Sequence, residues 1–147
     1  MKKLIIAISL LGTFTLWSQT DYYAKKGVVI KGYDVTEYFN NKALQGTEEF
    51  SSKYDGATFY FVSKENKEKF EAAPEQFVPQ YGGYCAYAVG LKEKKVSVDP
   101  ETFEIRDGKL YLFYNKFGTN TLDLWNEQNP EELKAKADAY WLNNSQK

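Results

Sequence analysis

Apolar and polar positions alternate in short runs along most of this chain, and two glycine-centred breaks punctuate them. Residues 49–54 (EFSSKY) and 57–62 (ATFYFV) flank Asp55-Gly56, and residues 102–106 and 109–114 flank Asp107-Gly108. Two β-prone runs around Asp-Gly predict tight hairpins of type I′, because such a turn needs positive φ at both central residues. Strand alternation puts Phe59 and Phe61 on one face and Tyr60 and Val62 on the other. In LYLFY it puts Leu110, Leu112 and Tyr114 together. Residues 28–39 (VVIKGYDVTEYF) read as β-rich with a break at Gly32, and Gln45-Gly46-Thr47 as a turn.

Helical signals lie between these runs. Ser63 is an N-cap for a helix over about 64–73, ended by Pro74, with Phe70, Ala73 and Phe77 as its buried stripe. Residues 84–90 (YCAYAVG) form a small apolar segment that fits either a helix or a strand. A helix is predicted over about 119–127. Asn129-Pro130-Glu131 then has the order of N-cap, first and second positions of a last helix reaching about Trp141. The pattern is α+β, a small antiparallel sheet built from the two Asp-Gly hairpins with short helices packed on it.

The first residues carry an address. Lys2 and Lys3 precede an apolar run from Leu4 to Trp17, shorter than the roughly 20 residues a membrane span needs. With Ser18, Gln19 and Thr20 after it, the run reads as a signal peptide over residues 1–18. The expected product is residues 19–147, exported to a periplasm or the cell exterior, with no transmembrane segment after cleavage. Loss of Lys2 and Lys3 takes the formal net charge from −1 to −3. The mature chain reads as a single domain, with a core over about 32–89 and a C-terminal hairpin and helices over 96–142.

Composition narrows the chemistry. The chain has 147 residues, no histidine and one cysteine, Cys85. Ser-His-Asp and Cys-His catalysis are excluded, as are His-ligated and four-cysteine zinc sites. Lysine and arginine total 19 against 20 acidic residues, with no basic run, so nucleic acid is not an expected partner. Aromatic residues make up 17% of the chain, which is enough to build a pocket wall or a docking face.

Several residues are candidates for a site. Cys85 follows Gly82-Gly83 and reads as a core residue, a reactive or ligand-binding thiol, or half of an intermolecular disulfide. Asp34 reads as a turn-capping carboxylate or a ligand contact, with Glu37 one helical turn on. Tyr33, Tyr38, Tyr81, Tyr84 and Tyr87 read as pocket lining or as sheet-filling aromatics with hydroxyls at the water edge.

The stretch from Gly32 to about Val89 resembles the YHS domain, and in particular the secreted bacterial YHS proteins. The resemblance rests on Gly32-Tyr33-Asp34-Val35, Tyr38-Phe39, Tyr54-Asp55-Gly56-Ala57-Thr58-Phe59-Tyr60-Phe61, Phe70, Pro74-Glu75 and Phe77. Its most specific block is Pro79-Gln80-Tyr81-Gly82-Gly83-Tyr84-Cys85-Ala86. Asp107-Gly108-Lys109-Leu110-Tyr111-Leu112 and Ala137-Asp138-Ala139-Tyr140-Trp141 extend it. Metal-handling relatives carry a Phe-Cys-Ser-x-x-Cys pattern and an upstream cysteine. Here Val62 and Asn66 stand at the first two cysteine positions and Glu37 near the third, so the thiolates that would grip a soft metal are missing. The resemblance implies an exported binding module for a small ligand or metal ion. An interaction domain with an aromatic docking face is the second reading, and a Cys85-dependent enzyme the third.

Overall fold

The structure, a computed structural model, describes residues 19–145; the signal-peptide reading of residues 1–18 lies outside them. In chain order the elements are β1 (Ala24–Lys25), β2 (Val28–Val29), β3 (Thr47–Tyr54), β4 (Ala57–Phe61), α1 (Lys64–Ala72), α2 (Ala86–Lys92), β5 (Asp99–Arg106), β6 (Lys109–Phe113), β7 (Asn115–Lys116), β8 (Thr119–Asn120), α3 (Thr121–Glu127) and α4 (Pro130–Asn144). The class is α+β. The two long hairpins do not share one sheet, however. β3 and β4 belong to a four-stranded sheet of order β1-β2-β4-β3, and β5 and β6 form a sheet of their own. Nor is the first sheet wholly antiparallel, since Val28 of β2 pairs with Thr58 of β4 in parallel.

Four two-residue turns share one geometry. Lys26-Gly27, Asp55-Gly56, Asp107-Gly108 and Phe117-Gly118 all have positive φ at both residues. That conformation matches the right-handed twist of the flanking strands, and glycine adopts it without steric cost. Lysine or phenylalanine before the glycine serves as well as aspartate, which is why only two of the four turns stand out in the sequence.

Residues 28–39 are not the extended run that their β-branched composition suggests. Only Val28 and Val29 are strand. Ile30 and Lys31 then take φ of 48° and 53°, and residues 37–40 form a single tight helical turn. Ile30 is fully buried, so tertiary packing holds a β-branched residue in a region it rarely visits.

A third, two-stranded sheet pairs β7 with β8, and a single cluster of buried side chains runs through the other two. Phe59 and Phe61 of β4 face Phe70 of α1, with ring centroids 4.9 and 5.1 Å apart. Each such phenylalanine contributes roughly 1.5–3 kcal/mol by leaving water. α1 starts where Ser63 accepts a hydrogen bond from the Asn66 amide, and α4 starts where Asn129 accepts one from Glu132. In β6, Leu110, Tyr111, Leu112 and Phe113 are all buried. The expected single apolar face is therefore two, with Trp125 of α3 against Tyr111 and Phe113, and Tyr81 also against Tyr111.

α2 and α4 touch through backbone. A Cβ on Gly90 of α2 would collide with the carbonyl oxygen of Leu133. Asp21 and Tyr23 are stitched to the middle of the chain as well. The Tyr23 amide donates to the Gly82 carbonyl at 2.8 Å. Asp21 accepts from the Tyr84 hydroxyl at 3.2 Å and pairs with Lys95 at 2.7 Å. Among the described residues no helix is long and apolar enough to cross a membrane.

Candidate functional site

Asp34 is completely buried, and its carboxylate is fully engaged. One oxygen accepts from the Thr36 amide at 2.9 Å and the Thr36 hydroxyl at 2.7 Å, which closes a local turn. The other accepts from the Val62 amide and from the Asn66 side-chain amide, each at 2.9 Å. Four donors offset the cost of burying this carboxylate, which without them would be several kcal/mol. The same Asn66 Nδ2 donates to Glu37 at 2.7 Å. Val62 and Asn66, 28 and 32 residues along the chain, thus converge on Asp34, and Asn66 joins it to Glu37.

The donor set at this convergence does not suit a soft metal. It contains no thiolate, Val62 contributes only a backbone N–H, and both carboxylates are turned toward the Asn66 amide. Among the described residues no three Asp, Glu, Cys or His side chains are grouped to hold an ion.

Cys85 occupies a second neighbourhood. Its amide donates to the Val96 carbonyl at 3.0 Å, and its backbone bridges to Leu112 of β6. The side chain is fully buried. Sγ lies 3.3 Å from Thr121 Oγ1, and that hydroxyl lies 2.7 Å from the Tyr114 carbonyl. The Thr121 hydroxyl has one proton, which goes to Tyr114, so the thiol donates to Thr121. Cys85 stands at the N-cap position of α2 but makes no capping bond. The thiol is aimed at a threonine and not at the helix start.

Above this pair lies a cleft of about 360 Å³. Its walls are mostly apolar: Tyr87, Ala88 and Leu91 from α2, Val96, Tyr114, and Leu124 from α3. Lys92 stands at its edge, and Cys85 and Thr121 bring the few polar atoms. Sequence reasoning missed Leu91, Val96, Thr121 and Leu124. The available signal was the Thr121–Leu124 spacing of three, which places both on one face of α3.

The tyrosines do not line a common pocket. Tyr38 is core: its hydroxyl donates to the Pro100 carbonyl at 2.7 Å and its ring packs on Phe103 at 4.7 Å. Tyr81 donates to Asp138 at 2.8 Å and edges a separate cleft of about 300 Å³ with Tyr22, Trp141 and Leu142. Tyr84 packs on Tyr23 and Trp141. Tyr33 is half-buried beside Asp34 and pairs through its backbone with Gln45. Burial holds the Tyr38 and Tyr81 hydroxyls well above the ordinary value of 10.0, with Asp138 adding to the effect at Tyr81. Burial, reinforced by Asp21, pushes Tyr84 up to about 12. These phenols are ties between elements. Asp34, Cys85 and the Tyr81–Tyr84 pair accordingly occupy three different places.

Comparison with curated proteins and with solved structures gives no match. The YHS domain family model matches residues 35–81. That span takes in Glu37, Val62 and Asn66 and stops short of Cys85 and its cleft. On this match, residues 35–81 of the chain are a segment similar to the YHS domain.

Proposed function

We propose that this protein is an exported, non-catalytic binding module that takes a small, largely apolar molecule into the cleft over Cys85 and Thr121. The observation that carries the reading is the cleft itself. Its volume of about 360 Å³ lies within the range of small-molecule sites, and it pairs apolar walls with a few polar groups. Lys92 at the edge suits a ligand with one acidic or hydrogen-bond-accepting end. Of the two cargo classes a YHS module suggests, a small molecule fits these walls better than a metal ion. Export rests on the basic and apolar start of the chain, Lys2 to Trp17.

Native mass spectrometry of the protein purified from the periplasm of an expressing host tests this, beside Leu124→Trp, which fills the cleft, and Cys85→Ser. The expected result is a bound mass on the wild type that Leu124→Trp loses. An unliganded protein in every preparation overturns the reading. It would leave the docking-domain alternative, which a different observation favours. Phe117 is 96% exposed at the tip of the β7–β8 turn, and Thr119 of the same turn lines the cleft.

A further inference from the structure

We infer that the Asn66 carboxamide does the work of a cation between Asp34 and Glu37, so the YHS segment is held together by a hydrogen-bond clamp that requires no metal. The two hydrogens on Nδ2 go to two different carboxylates, Asp34 at 2.9 Å and Glu37 at 2.7 Å. Both partners only accept, so the amide must present its NH₂ and not its oxygen. Among the described residues neither carboxylate has a lysine or arginine partner within ion-pair distance. What faces them is neutral donors: the Asn66 amide for both and, for Asp34 alone, the Val62 backbone N–H and the Thr36 amide and hydroxyl.

The surrounding geometry serves the same end. Asn66 lies in the first turn of α1, and its own backbone N–H is capped by Ser63 at 3.1 Å. That cap fixes where the carboxamide points. The positive end of α1 also favours negative charge beside it. A helix start, a turn and a strand end are therefore locked at one point by a neutral donor. A cation entering here would have to displace the NH₂ group from both carboxylates and leave it facing positive charge.

The clamp is tested by thermal unfolding of the full chain in EDTA and in added Mn²⁺ or Zn²⁺, with metal content read by elemental analysis. The wild type is expected to keep one melting temperature in all three and to carry no stoichiometric metal. Asn66→Asp replaces the two-hydrogen donor with a third acceptor and changes little else in shape. It is expected to melt roughly 5–10 °C lower in EDTA, on the scale by which a few kcal/mol move a domain of this size. Mn²⁺ is expected to restore at least half of that loss. Glu37→Gln keeps an acceptor oxygen for Asn66 at the half-buried edge, and is expected to melt below the wild type by less than Asn66→Asp and to remain metal-indifferent. Stoichiometric metal on the wild type, lost in Glu37→Gln, overturns the inference. So does an Asn66→Asp protein that is unaffected in EDTA or that Mn²⁺ fails to restore.

Discussion

The neighbourhoods of Asp34 and Cys85 are both buried and both polar, yet they are built on opposite plans. Around Asp34 every acceptor meets a donor, and three chain segments share one carboxylate. Around Cys85 a short relay from thiol to threonine to carbonyl lies under open volume. The first arrangement is closed and leaves no space for a guest. The second keeps its polar atoms few and its walls apolar, which suits admitting one. Buried polarity alone therefore does not mark a binding site; it does so when packing around it is incomplete.

Substitutions can break that contrast. The largest effect is expected from Asp34→Asn, which sets an NH₂ group against donors already in place and should cost about 3–5 kcal/mol by chemical denaturation. Gly90→Ala comes next. Helix propensity alone favours alanine by about 1 kcal/mol. The Leu133 carbonyl opposes it, and the net should be a loss of about 2–3 kcal/mol with the cleft wall displaced. Thr121→Val should cost only about 1 kcal/mol, the value of an ordinary hydrogen bond, while weakening ligand retention in native mass spectrometry. If it destabilises as much as Asp34→Asn, the contrast between the two regions fails.

Alkaline titration sharpens the picture on a smaller scale. A tyrosine whose folded pKa lies above its unfolded value binds its proton more tightly when folded. Stability from Tyr22, Tyr38, Tyr81, Tyr84 and Tyr111 is then fully present below the ordinary value of 10.0. It should fall as pH rises from there through about 12, where Tyr84 titrates, and beyond. Phenolate absorbance should rise in step with unfolding rather than ahead of it. The smallest effect concerns Tyr111, whose hydroxyl has no partner among the described residues. Tyr111→Phe should leave stability unchanged or raise it by up to about 1 kcal/mol, whereas Tyr38→Phe should lower it by about 1 kcal/mol.

Local chemistry was the legible part of this molecule. The Ser63 cap, the Asn129-Pro130 helix start and the two Asp-Gly turns act over two to four residues, so their signals survive in sequence. The misreading of residues 28–39 has a tertiary cause. Ile30 leaves the strand because its place is set by the packed core, and Asp34 bends the chain toward Thr36 to reach Val62 and Asn66. Glu37, Val62 and Asn66 were picked out by family resemblance, but the meeting of Val62 and Asn66 at the Asp34 carboxylate, with Glu37 joined through Asn66, is a property of the fold. The cleft was invisible for a related reason. Its walls come from residues 85–96 and 114–124, and no motif joins those segments.

The stitching of residues 20–23 bears on the order of assembly. Their partners include Gly82, Tyr84 and Lys95, so the loops they close span some 60 to 74 residues. Closing such loops is entropically late, and a chain emerging N-terminus first must leave the Tyr23 amide and the Asp21 carboxylate of this strip without these partners until they arrive. The strip is thus the seam along which the finished molecule would part. Amide exchange at Tyr23 reads it directly: protection equal to that of β6 would mean the seam opens only with the whole fold, and faster exchange would mean it opens alone.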